Sequence, residues 1–111
     1  MEKETGVVYN IPCQDCEVSY IGETGRAVGT RRKEHQRSVK YLDVDKSALA
    51  EHIYEYDHGI AWEKTEILCR DSRWSQRRWK EAWLIEANKN NAIVNRDSGR
   101  ILPDVYKTLI H

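Results

Sequence analysis

Two short runs rich in β-branched and aromatic residues, Gly6 to Ile11 (GVVYNI) and Val18 to Gly22 (VSYIG), flank the turn-forming stretch Pro12-Cys13-Gln14-Asp15-Cys16. Runs of this length and composition on either side of such a turn read as a β-hairpin. The remaining elements must then be placed around that hairpin. Arg26 to Lys40 has helical composition despite Gly29. Ser47 is a good N-cap for a second helix, with Ala50 and Glu51 suiting its first turns, and Gly59 is a natural place for it to stop. Thr65 to Cys69 reads as a third strand. Ser72 to Asn90 is the longest helical segment, with Trp79, Ala82, Trp83 and Glu86 at helical spacing. Asn95 to Gly99 reads as a turn, and Pro103 lies in an extended tail spanning 98–111. The order strand, strand, helix, helix, strand, helix implies an α+β domain, a small sheet with helices packed on it.

The 111 residues suffice for one domain with a single modest core. A hydrophobic content of 40% beside 32% charged residues fits a globular protein with a solvated surface. No apolar run approaches bilayer-spanning length and no signal-peptide pattern opens the chain, so an intracellular protein without a membrane partner is the expectation.

The formal net charge is zero, which by itself points away from nucleic acid, but the charges are segregated. Arg26, Arg31, Arg32, Lys33, Arg37 and Lys40 fall in one segment with the single acid Glu34, and Arg70, Arg73, Arg77, Arg78 and Lys80 precede Glu81. Asp43, Asp45, Glu51, Glu55 and Asp57 collect elsewhere. Such segregation can give a neutral protein one basic face suited to a phosphate backbone, with Arg26, Arg32, Lys33 and Arg37 as DNA-binding candidates. Ordinary solvated helix faces explain the same charge runs.

Cys13-x2-Cys16 falls in the hairpin turn. Such a pair can be a disulfide, a redox motif or half of a zinc site. An intracellular setting disfavours a disulfide, and a hairpin turn lacks the helix N-terminus a redox pair would use. His52 and His58 are the candidate further zinc ligands, although their distance from the cysteines is unlike that of a C2H2 finger. Spacing alone leaves zinc open. Cys69 reads as a buried strand residue.

Val7-Val8-Tyr9 and Tyr20-Ile21-Gly22 place one tyrosine in each hairpin strand. Arg31 and His35 follow four apart, on one helical face. Glu81 comes in Arg77-Arg78-Trp79-Lys80-Glu81-Ala82-Trp83, and Asn95 comes last. The ordered set resembles the GIY-YIG endonuclease domain over about 6–97, with Val7 standing where that family has glycine. Longer strings make it most similar to the endonuclease domains of Penelope-like retroelements. They are Tyr20-Ile-Gly-Glu-Thr-Gly-Arg26, Ser47-Ala-Leu-Ala-Glu-His52, Lys80-Glu-Ala-Trp83 and Asn95-Arg-Asp97.

The resemblance implies a three-stranded antiparallel sheet flanked by helices, and a metal-dependent DNA endonuclease. Tyr9 would be the general base, although an ordinary phenol with a pKa of about 10 needs a nearby cation or metal-bound water to serve. Tyr20 would orient water or phosphate. Arg31 would bind the scissile phosphate, and His35 would position the nucleophile or protonate the leaving oxygen. Glu81 would hold Mg²⁺ or Mn²⁺, and Asn95 would brace the site. Cys13, Cys16, His52 and His58 would form a closed structural zinc site. The family role adds a reverse transcriptase domain in the parent protein, nicking to prime reverse transcription, and a nuclear location; the chain would be an excised module or a stand-alone derivative. Two readings compete: a catalytically inactive, zinc-stabilised nucleic-acid-binding module, and a structural zinc-knuckle interaction domain. Oligomeric state is not legible. Trp62, Trp74, Trp79 and Trp83 fit core packing, with Trp74 open to either core packing or base stacking.

Overall fold

β1 (Val7–Pro12) and β2 (Ser19–Thr24) form the antiparallel hairpin, with Tyr9 opposite Gly22 and Ile11 opposite Tyr20. The computed structural model describes residues 2–45 and 47–90, and the backbone of 92–93. β3 (Glu66–Arg70) pairs antiparallel with the other edge of β1, and a bulge between Val8 and Tyr9 shifts the register. The three strands make an antiparallel sheet with β1 at its centre. The run Val7-Val8-Tyr9 suits that place, since all three residues are buried. A two-residue strand, β4 (Ala92–Ile93), adds to β2 in parallel, giving the order β3-β1-β2-β4. Two residues are too short a run for any sequence pattern to announce.

Strand alternation divides the core between the two sheet faces. Val7, Tyr9 and Ile11 of β1 and Tyr20 of β2 pack with Val28 of α1 (Val28–Lys40), Leu49 of α2 (Ala48–Tyr56) and Ile60. Val8 and Ile21 point the other way and pack with Ile85 of α3 (Trp74–Ala87), flanked by Leu84 and the half-buried Cys69. The result is a small α+β fold with three α-helices among the described residues, and a short 3₁₀ turn at Trp62–Lys64. None of its helices is long and apolar enough to cross a membrane.

The expected strands and helices are present, with ends shifted by up to three residues; the expected turn at 95–99 and the tail at 98–111 lie outside the described residues. α2 starts as expected, the Ser47 hydroxyl accepting the Ala50 N–H at 3.3 Å. It ends at Tyr56 rather than nearer Gly59, because Asp57 itself takes the left-handed conformation (φ 55°, ψ 40°), which a short polar side chain tolerates. Gly59 instead joins the hairpin turn. Its N–H donates to Asp15 Oδ2 at 2.6 Å, and its carbonyl accepts from the Gln14 N–H at 2.9 Å.

Two expectations need correction. Trp74 and Trp83 are more than half exposed: the α3 face that meets the sheet carries Arg77, Arg78, Glu81, Ala82 and Ile85 instead. The second basic cluster is turned inward at Arg77 and Arg78, while Arg70, Arg73 and Lys80 stay at the surface in ion pairs. Arg77 Nε donates to Glu23 at 2.9 Å and Arg78 lies 3.5 Å from the same carboxylate, while Arg73 and Lys80 bind Asp71 at 2.8 and 3.0 Å. Arg70 pairs with Glu4 at 2.7 Å. Those cations are satisfied within the chain.

Candidate active site and metal centre

The tyrosines come together because the hairpin register puts them diagonally on one face, two positions apart rather than directly opposite. Their ring centroids lie 6.1 Å apart. The space between is left by Gly22, which faces Tyr9. A Cβ there would stand 2.6 Å from the Tyr9 hydroxyl oxygen and 2.7 Å from Tyr20 Cε1, so the glycine of the Tyr-Ile-Gly motif is a packing requirement.

α1 brings the third ring. His35 is 3% exposed, not a surface histidine of a charged helix. Its Nε2 lies 2.8 Å from the Tyr9 hydroxyl, and its ring meets Tyr20 edge-on at 4.8 Å. Burial, and then the charge of Arg31, push the His35 pKa down to about 3. The imidazole is therefore neutral at neutral pH, with one ring nitrogen an acceptor. Burial, reinforced by Tyr20, holds the Tyr9 phenol well above its ordinary value, with the Arg31 guanidinium pulling the other way. Tyr9 is thus protonated in the resting protein.

Arg31 is the partly open member of the group, its side chain 30% exposed. Burial opposes its charge, but the neighbouring acidic groups, Glu34 among them, more than offset that, and it stays a cation. Glu34, which the sequence reading passed over, holds it in place by accepting from Arg31 Nη1 at 3.0 Å and from both Arg26 terminal nitrogens at 2.7 and 2.8 Å. Glu81, 1% exposed on α3, lies near enough for its charge to act on Tyr9. Of the six expected catalytic residues, Tyr9, Tyr20, Arg31 and His35 stand together on the α1 side of the sheet, and Glu81 on α3 reaches Tyr9 through its charge, the weakest of the influences on that phenol. Asn95 lies outside the described residues. Of the DNA-binding candidates, Arg26 is bound to Glu34 and Arg32 to Glu2. Lys33 and Arg37 make no ion pair among the described residues and line a groove on the outer face of α1.

The second cluster stands at the end of the same hairpin. Cys13 follows β1 directly and Cys16 lies in the turn. His52 and His58 come from α2 and the segment after it. Cys13 Sγ is 3.4 Å from His58 Nδ1, Cys16 Sγ is 3.6 Å from His52 Nε2, and the two nitrogens are 3.3 Å apart. All four donor atoms lie within 4.8 Å of one another.

A tetrahedral zinc ion with sulfur at about 2.3 Å and nitrogen at about 2.05 Å sets its ligands about 3.6 Å (S to N) and 3.4 Å (N to N) apart. The three contacts agree within about 0.2 Å. Burial, and then His58, keep the His52 pKa low, favouring the neutral imidazole a metal needs. Burial raises the Cys13 thiol, a cost that a bound dication removes by favouring the thiolate. The Tyr56 ring packs at 5.1 Å from His52 and 5.7 Å from His58, fixing both imidazoles. The Cys2His2 cluster can hold a metal ion and suits structural zinc.

No family model, curated protein or solved structure matches this chain. The residues themselves carry the functional argument.

Proposed function

We propose that this protein is a metal-dependent DNA endonuclease with the GIY-YIG fold, the nicking module of a Penelope-like retroelement. The observation that carries the reading is the 2.8 Å bond between Tyr9 and His35 beside Arg31 and Glu81. Four elements contribute to this cluster, and a phosphodiesterase has a use for each member.

In this reading the scissile phosphate binds Arg31, whose planar fork suits its oxygens and stabilises the charge gained in the transition state. An attacking water gives its proton to the Tyr9 oxygen as Tyr9 passes its own to His35 Nε2. A relay therefore takes the place of a preformed phenolate. A phosphate on Arg31 also offsets one of the two influences that keep His35 from accepting a proton. Tyr20 packs against His35 and orients the water or phosphate. Glu81 offers a hard oxygen donor of the kind Mg²⁺ or Mn²⁺ takes, and such an ion would stabilise the leaving oxygen. Zinc at Cys13, Cys16, His52 and His58 has four protein ligands and a structural role. DNA is the proposed substrate, a reverse transcriptase domain the proposed neighbour in the parent protein, and the nucleus the proposed location.

A second reading, a non-catalytic nucleic-acid-binding module, is favoured by the burial of Tyr9, Tyr20, His35 and Glu81, each 3% exposed or less. Nicking of supercoiled plasmid by zinc-loaded protein with added Mg²⁺ separates the two. The nuclease converts plasmid to open circle, and Glu81→Ala lowers the rate by about a thousandfold, or roughly 4 kcal/mol of barrier, while DNA binding persists. Undiminished nicking by Glu81→Ala removes Glu81 from the mechanism. Absence of nicking by folded protein that binds DNA selects the binding module.

A further inference from the structure

On the outer face of α1, Thr30, Lys33, Glu34, Arg37, Ser38 and Tyr41 line a groove of about 440 Å³, a size that admits groups of small-molecule dimensions. Their spacing of three and four residues puts them on one helical stripe, about 16 Å long at 1.5 Å per residue. Three features define what fits. Lys33 and Arg37 are cations with no ion pair among the described residues, one turn apart. Thr30 and Ser38 offer hydroxyl donors between them. Tyr41, at the C-cap of α1, is 69% exposed. The Lys40 ammonium lies 5.6 Å from the Tyr41 ring centroid, adding positive charge at the ring.

The one acid within the stripe does not repel an anion, because Arg26 and Arg31 bind the Glu34 carboxylate. Glu34 also joins the groove to the candidate active site, since Arg31 is the proposed phosphate ligand. Asp43 lines the far end beyond Tyr41, where a further phosphate would be repelled. The groove therefore carries two cations at its middle and an aromatic ring near one end, and Glu34 on its edge holds Arg31 of the candidate active site.

We propose that this groove carries an unpaired nucleic-acid strand leading from the scissile phosphate, with Lys33 and Arg37 on its phosphates and Tyr41 stacked on a base. The assignment rests on the nuclease reading for its direction. A base buried in a duplex stack presents no free face to Tyr41, whereas an unpaired base does. The partner is thus a strand that is single at the flank of the cut.

The test is fluorescence anisotropy of zinc-loaded protein, without added Mg²⁺, against labelled oligothymidylate and an abasic strand with the same number of phosphates. Wild type should bind oligothymidylate about tenfold more tightly than the abasic strand, the effect of stacking one base. Tyr41→Ala should erase that preference and Tyr41→Phe should keep it. Lys33→Ala with Arg37→Ala should weaken both probes and lower the salt slope by about 1.4, or about 0.7 per phosphate contact. Equal binding of the two strands by wild type, or a preference that survives Tyr41→Ala, overturns the proposal. Plasmid nicking without base-dependent binding overturns the groove and leaves the nuclease standing. Base-dependent binding that Tyr41→Ala removes, without nicking, supports the groove and overturns the nuclease.

Discussion

The hairpin carries two polar clusters built on opposite principles. At its middle, Tyr9, Tyr20 and His35 form a nearly closed set of rings in which Tyr9 and His35 bond to each other and whose shape depends on the absence of a side chain at Gly22. At its end, Cys13, Cys16, His52 and His58 bring four donors face to face at metal-ligand spacing, Cys13 buried and the others partly so, with weak thiol and imidazole contacts. The first cluster is held by packing, and the second would gain its cohesion from an ion. Polar groups gathered by a fold are thus stabilised in different currencies, and each is vulnerable to a different insult.

Three perturbations separate them. Zinc removal should have the largest effect. Chelation, or Cys16→Ser, should lower Tm by about 10 °C or more, since binding to the folded form alone stabilises by mass action. Metal analysis of untreated protein should find one zinc per chain. A chelator-treated protein with unchanged Tm would remove the ion from the stability of the fold.

Gly22→Ala should come next. Its methyl group meets two buried rings below van der Waals distance, and overpacking of this kind costs about 2 kcal/mol. Denaturant unfolding should register that loss while zinc stoichiometry stays at one. Simultaneous loss of zinc would mean the hairpin is one cooperative unit rather than two.

The third effect concerns pH and is absent at neutrality. His35 has a folded pKa of about 3 against about 6.5 in the unfolded chain. The unfolded state therefore binds the extra proton between these values, and stability present above pH 6.5 drains away as pH falls toward 3. At pH 5 the loss attributable to His35 is about 2 kcal/mol. Because acid also releases metal, the measurement is the difference in this slope between wild type and His35→Gln, with zinc in excess. Identical slopes would contradict the buried neutral imidazole.

Much of this could be read in the sequence, and what could not has physical causes. The hairpin was legible because β-branched runs flank a turn, and α2 because Ser47 caps it. The Tyr9–His35 contact was implicit in an ordered set of residues, yet its directness was not: only the register and the α1 packing place Nε2 on that hydroxyl. The destinations of the charges were hidden for the same reason. Glu23 is 54 residues from Arg77 and Glu4 is 66 from Arg70, so a charge count saw a basic cluster where the fold has internal ion pairs. Glu34 was the exception, standing three residues from Arg31 at ordinary helical spacing.

The link from Cys13 to His58 spans 45 residues, and with a metal in place it makes that stretch a closed ring. The ring encloses β2, α1 and α2, and with them Tyr20, Arg31 and His35; Tyr9 and Glu81 stand outside it. A protease cutting the connection near Leu42, where the backbone leaves α1 and α2 has yet to begin, would open the ring at one point without releasing a fragment. The ion is thus a clasp: the chain can be severed at its exposed bend and still keep both halves attached to the sheet.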